Sequence, residues 1–149
     1  MRAVVQRVTE AGVRVDGELI SQIGPGLCVL LGVEEEDREA DAAYMAGKIA
    51  KLRVFSDDAG KMNRSLLDTA GEALLISQFT LLGDARGQNR PGFTRAMAPE
   101  RANELYLLCC SRLRELGVPV REGVFRAHMA VSLVNDGPVT LLMDSKKLF

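Results

Sequence analysis

The chain has 149 residues, 47% of them hydrophobic and 26% charged, with a net charge of −1. Those proportions suit one globular domain over residues 1–149, able to bury about two-thirds of its unfolded surface without metal or disulfide support. They argue against a protein that coats nucleic acid non-specifically, which needs a strongly basic face, but leave room for a local basic patch.

Arg2 to Val8 reads as a strand that begins the domain at once. Val13–Val15 and Glu18–Ile20 flank Asp16–Gly17, the favoured dipeptide of a tight type I′ hairpin. Gly24–Pro25–Gly26 is a second turn, and the apolar run Leu27 to Val33 suits a central strand. The acidic cluster Glu34, Glu35, Glu36 and Asp37 then precedes a helical stripe of Ala42, Met45, Ile49 and Leu52. Its carboxylates read as a solvated face that complements the helix dipole, with no metal required.

Leu52 to Phe55 predicts a short strand, Ser56 to Ser65 a polar stretch, and Glu72 to Leu82 a further strand. Gly83 to Gly92 is a loop carrying Arg86 and Arg90. Pro99 suits the first position of a helix whose stripe of Ala102, Leu105, Cys109, Leu113 and Leu116 stops at Gly117. Ala127 to Val134 and Val139 to Met143 predict two strands joined by a turn at Asn135–Asp136–Gly137–Pro138. The order gives an α+β fold with two main helices on a curved, barrel-like sheet, mostly antiparallel or mixed.

Cys28, Cys109 and Cys110 show no metal-ligand spacing and read as buried reduced thiols, consistent with a cytoplasmic protein. The N-terminal apolar run is too short for a signal peptide, and no stretch approaches the ~20 apolar residues of a membrane span. Nucleophile-elbow, phosphate-loop and dinucleotide fingerprints are absent. The single histidine, His128, falls in an alternating strand with Ala127, Met129, Val131 and Leu133 opposite, and is read as structural rather than as a general base.

Two segments stand out. In Ser77–Gln78–Phe79–Thr80–Leu81 polar residues interrupt an apolar strand, and Asn135–Asp136–Gly137–Pro138–Val139–Thr140 is rich in turn-formers. Each alone has a plain structural reading. Together, in this order and in a chain of this length, they resemble the SQFTL and NxGPVT motifs of the D-aminoacyl-tRNA deacylase family. The opening Ala3–Val8, the Gly60–Asn63 segment and the stretch after Leu82 look similar too, so the resemblance covers nearly the whole chain. One position departs: the family pattern leads one to expect Phe-Gly-Ala where this chain has Phe125–Arg126–Ala127.

The resemblance implies a cytoplasmic homodimer, without cofactor or metal, that hydrolyses the ester joining a D-amino acid, or glycine mischarged on the alanine tRNA, to a tRNA 3′ end. It implies catalytic positions at Ser77, Gln78, Phe79 and Thr80, with substrate contacts from Gly137, Pro138, Asn135, Met129 and Arg7. By the same analogy, Gly137–Pro138 is cis and reaches the partner subunit's site to exclude L-aminoacyl groups. Lys61, Arg64, Arg86, Arg90 and Arg95 are candidates for a basic rim that holds the tRNA. Phe79 is read either as a base-stacking group or, more simply, as an interior side chain. Two rival readings stay open: a non-catalytic RNA-binding module, and a small-molecule esterase using Thr80 or Ser77 as nucleophile.

Overall fold

In the computed structural model, which describes all of residues 1–149, a fourteen-residue strand β1 (Arg2–Val15) organises the sheet. One of its edges pairs antiparallel first with β3 (Gly26–Gly32), from Arg2↔Gly32 to Val8↔Gly26. The same edge then passes to β2 (Glu18–Ile23), from Ala11↔Ile23 to Val15↔Glu18. Between β1 and β2, Asp16 (φ 50°) and Gly17 (φ 80°) make the hairpin turn that the Asp–Gly dipeptide predicts. Beyond β3 lie β6 (Glu72–Ser77) and β7 (Val120–Glu122), both in parallel register. The sheet curls until Ser21 of β2 donates its hydroxyl to the Glu122 carbonyl of β7 at 2.5 Å. That contact makes the sheet nearly a closed barrel, mixed in direction.

Two helices cover one face. α1 (Glu39–Lys51) and α3 (Pro99–Glu115) bury Met45, Ile49, Leu105, Tyr106 and Leu113 against Val5, Leu27, Val29, Leu31 and Leu75 of the sheet. Each such side chain contributes about 1.5–3 kcal/mol by leaving water, before chain entropy is set against it. Inside the curl a second cluster forms from Val8, Ala11, Val13, Ile23, Cys28, Leu74 and Ile76. α3 begins at Pro99 and stops before Gly117, which adopts φ 97°, as its punctuation predicts. A small hairpin, β4 (Phe55–Ser56) with β5 (Met62–Arg64), and the short helix α2 (Leu66–Thr69) connect α1 to β6.

Several expectations need correction. Leu52 caps α1, so the expected strand there reduces to Phe55–Ser56. The expected strand Glu72–Leu82 ends at Ser77, and Phe79–Leu82 form a 3-10 turn. Gln78 still gives its N–H to the Leu31 carbonyl at 2.9 Å, but β3 stops at Gly32 and offers nothing further to pair with. The chain turns in over that glycine. A Cβ on Gly32 would lie 2.7 Å from Leu82 Cδ2 and 2.9 Å from the Gln78 carbonyl oxygen.

The two expected C-terminal strands are one, β8 (Ala130–Asp144), paired along the free edge of β1. Asn135–Pro138 is therefore not a hairpin turn. Val8 pairs with Asn135 and Gln6 with Thr140, so residues 136–139 bulge out opposite Arg7 alone. His128 lies ahead of this strand rather than within it.

The acidic cluster is not one solvated face. Glu34 (5% exposed) and Asp37 (4% exposed) are buried. Arg95 and Lys146 pair with Glu34, while Asp37 accepts the Glu34 N–H at 2.6 Å and the Met1 amino group at 2.6 Å. Glu35 and Glu36 are exposed, as expected.

Candidate active site

Where β6 gives way to the 3-10 turn, a cavity of about 520 Å³ opens between that turn, the start of α3 and the segment leading into β8. Ser77, Gln78 and Phe79 line one side, and Phe125, Met129 and Val131 the other. Ala96 and Met97, from the approach to α3, and Pro99, its first residue, form the floor. This approach is fixed by backbone bonds to the end of β3: Met97 N–H to the Val33 carbonyl (3.0 Å) and Glu35 N–H to the Arg95 carbonyl (2.9 Å).

Phe79 is 56% exposed, so the interior reading of this ring does not hold. It is held edge-on against Phe93, with centroids 5.0 Å apart and planes at 70°. A ring pinned from one side with its rest in solvent is a platform for a flat partner. Thr80 follows, its hydroxyl oxygen accepting from the Gln78 side-chain amide. That partner is a donor and supplies no base to a nucleophilic threonine. In the turn itself Leu81 N–H is taken by the Gln78 carbonyl. The two N–H groups before it, Phe79 and Thr80, precede any partner within the turn.

The other expected group assembles elsewhere. Arg7 donates through Nη1 to the Val54 carbonyl (2.6 Å) and through Nε to the Asp136 carbonyl (3.1 Å). Its Nε also lies 3.2 Å from the Asp136 carboxylate. Asn135 closes the base of the bulge, its Oδ1 accepting from Val139 N–H (3.1 Å) and its Nδ2 donating to Thr140 (2.9 Å). At the exposed tip the Gly137–Pro138 bond is cis, and Gly137 has φ 127°. A Cβ on Gly137 would meet Val139 Cγ2 at 2.8 Å and Arg7 Nη2 at 3.1 Å. Within one chain, Arg7, Asn135, Gly137 and Pro138 are not part of the cavity wall that holds Phe79 and Met129.

The candidate basic residues are dispersed. Arg64 pairs with Asp58 and Arg86 with Asp84, and Lys61 and Arg90 are exposed. The Arg86 hydrogen bonds hold the Asp84 carboxyl well below the ordinary range. Neither these four residues nor Arg95 line the cavity.

Three residues outside the expected set of catalytic and binding positions belong to the site. Phe93 props Phe79; it lies in an irregular loop where no periodicity flags it. His128 and Arg126 line the cavity. Arg126 adopts φ 65°, the left-handed conformation that glycine occupies freely, which fits the glycine that the family pattern leads one to expect there.

A family model described as D-Tyr-tRNA(Tyr) deacylase matches residues 4–144. A D-aminoacyl-tRNA deacylase of Anaeromyxobacter dehalogenans (strain 2CP-C) is 58% identical, over the whole of both chains. That of Symbiobacterium thermophilum is also 58% identical, covering all of this chain and 99% of its own. A solved structure titled c-Myc DNA Unwinding Element Binding Protein superposes with a TM-score of 0.92 at 45% identity, covering 97% of this chain and 98% of the other. A probable eukaryotic D-amino acid tRNA deacylase superposes with a TM-score of 0.79 at 16% identity, over 95% and 97% of the two chains, a likeness of fold.

Proposed function

The chain belongs to the D-Tyr-tRNA(Tyr) deacylase family and is a hydrolase of D-aminoacyl-tRNA, and from that premise we propose that the cavity beside Phe79 receives the aminoacyl end of the tRNA. The observation that carries this reading is the position of Ser77, Gln78 and Phe79 on the wall of a cavity deep enough for an aminoacyl group and open toward an exposed aromatic ring. The N–H groups of Phe79 and Thr80 donate to the oxyanion that develops on the ester carbonyl. Preorganised donors of this kind are worth about 3–4 kcal/mol each in comparable reactions. Phe79 stacks on the terminal adenine. Since the Thr80 hydroxyl faces a donor rather than a base, the attacking water is oriented by the substrate's own ribose 2′-OH.

Chirality is enforced by exclusion. Attractive pockets discriminate by only about 1–3 kcal/mol per methylene-sized feature. Sparing L-aminoacyl-tRNA by a factor of ~10⁴ requires about 5.5 kcal/mol. A backbone wall standing where an L side chain projects supplies that penalty whatever the side chain is. The Gly137–Pro138 bulge is such a wall, braced by Arg7 and Asn135. Because it is not part of the cavity wall of its own chain, it acts in the cavity of a second copy, and the working unit is a homodimer. The exposed apolar residues Val131, Val134 and Leu142 on β8, whose outer edge is unpaired, support such an association. Glycyl-tRNA, including that mischarged on the alanine tRNA, has no side chain to exclude and is hydrolysed too. The enzyme acts in the cytoplasm, where tRNA is charged; no helix is long and apolar enough to cross a membrane.

Ester loss from D-, L- and glycyl-tRNA tests this reading. Hydrolysis of the D and glycyl forms alone is expected, whereas a general esterase ignores handedness and a binding module cuts none. Replacing the terminal 2′-OH by hydrogen is expected to abolish turnover with binding retained. Full turnover on that substrate, or loss of turnover in Thr80→Ala alone, would return the nucleophile to Thr80.

A further inference from the structure

Arg126 combines three features. It is exposed and adopts φ 65°, a conformation that L side chains avoid, so packing does not explain its presence. It lines the cavity, and no carboxylate lines that cavity with it. No carboxylate lies within ion-pair distance of it; Arg14, Arg38, Arg53, Arg90 and Arg121 are unpaired too, but none of them lines the cavity. A guanidinium in that position holds unspent donors at the mouth of a site whose substrate is an aminoacyl ester on a polyanion.

We propose that Arg126 is a substrate-positioning residue that grips the phosphodiester on the 5′ side of the terminal adenosine. This rests on the reading that the cavity beside Phe79 takes the aminoacyl end. With adenine on Phe79 and the ester below it, the nucleoside's 5′ oxygen leaves the cavity at its rim, where Arg126 stands. Arginine suits phosphate oxygens because its planar fork donates two parallel hydrogen bonds. The grip acts on binding, and the chemical step proceeds unchanged once the ester is seated.

The test compares wild type with Arg126→Gly, which puts the residue best suited to φ 65° in its place and so keeps the fold. Two substrates are used: D-aminoacyl-tRNA, and a 3′-O-D-aminoacyl-adenosine lacking the 5′ phosphate. On the tRNA, KM is expected to rise about tenfold with kcat within twofold. The slope of log kcat/KM against log salt should become shallower by about one. On the nucleoside ester the two proteins should be equal. Arg126→Lys should recover part of the loss. Equal loss on both substrates, no loss on either, or a gain in activity from unblocking the cavity would overturn the proposal. Phe79→Glu, a charge on an already exposed position, tests the underlying site separately. If that variant stays fully active, the cavity is not the site and the Arg126 role falls with it. If it is inactive while Arg126→Gly matches wild type, only the Arg126 role falls.

Discussion

Arg7 and Asp136 are joined twice: one Nε lies 3.1 Å from the Asp136 carbonyl oxygen and 3.2 Å from its carboxylate. The other end of the same guanidinium is anchored 2.6 Å from the Val54 carbonyl. A strand residue thus carries the bulge that would discriminate substrates, and the three acceptors define its orientation. Arg7→Ala removes all of them and leaves the Val54 carbonyl without this donor, which costs about 1–3 kcal/mol. Arg7→Lys keeps the charge without the fork. Urea unfolding should place Lys between Ala and wild type. Discrimination between D- and L-aminoacyl-tRNA should fall about tenfold in both, and intact discrimination in Arg7→Ala would remove the bracing role.

Gly137 is poorly able to accept a side chain, on grounds of both backbone conformation and space. Its φ of 127° lies outside what L residues adopt easily, and an added Cβ meets Val139 N at 3.1 Å as well as the Val139 side chain at 2.8 Å. Backbone strain of this kind is worth about 1–3 kcal/mol. Gly137→Ala should lose that much stability and at least tenfold in kcat/KM on D-aminoacyl-tRNA, since the bulge must move to fit the methyl. Wild-type rates in a variant of wild-type stability would show that the bulge has no part in the site.

Much of this architecture is legible in the sequence, and what is not has a common origin. The Asp16–Gly17 hairpin, both main helices, and the limits of α3 at Pro99 and Gly117 follow from local rules. Asn135–Pro138 has the composition of a hairpin turn, and only the unbroken length of β1 beside it makes it a bulge. The break after Ser77 depends on β3 ending at Gly32, a parallel partner far back in the chain. Glu34 looks solvated because its partners, Arg95 and Lys146, lie 61 and 112 positions away. The motif residues were identifiable one by one. Their division into a cavity wall and a separate bulge is implied by the family resemblance alone; no local rule yields it, because it depends on how the sheet curls.

The three thiols offer a check on the core. Cys28, Cys109 and Cys110 are free and at most 1% exposed. Burial pushes the Cys28 thiol up to about 11 and that of Cys110 to about 12, and raises Cys109 as well. Only thiolate attacks a disulfide reagent, so the folded protein at pH 8 should be nearly inert to 5,5′-dithiobis(2-nitrobenzoate). All three should react once denaturant is added. Rapid labelling of even one thiol in the native protein would mean that this core opens far more readily than its packing indicates.

Glu34 links stability to pH and, through its partners, to the cavity. Burial alone would raise its pKa, but the hydrogen bond from Arg95 and the positive charge of Lys146 overcome this and hold the folded value below the ordinary one. A carboxylate depressed in the folded state contributes stability that is fully present above its unfolded pKa, about 4.3. That contribution is lost as pH falls through the lower folded value. Arg95 also belongs to the segment bonded backbone-to-backbone with Glu35, next to the cavity residues Ala96 and Met97. Glu34→Gln should therefore be less stable than wild type at pH 7, and the gap should narrow below pH 4 as wild type loses the same charge. Activity at pH 7 should fall with it, because the cavity floor is less firmly held. Urea midpoints of both proteins from pH 7 to pH 3 provide the measurement. A gap that stays constant across that range would show that the ionised Glu34 carboxylate contributes nothing to the fold.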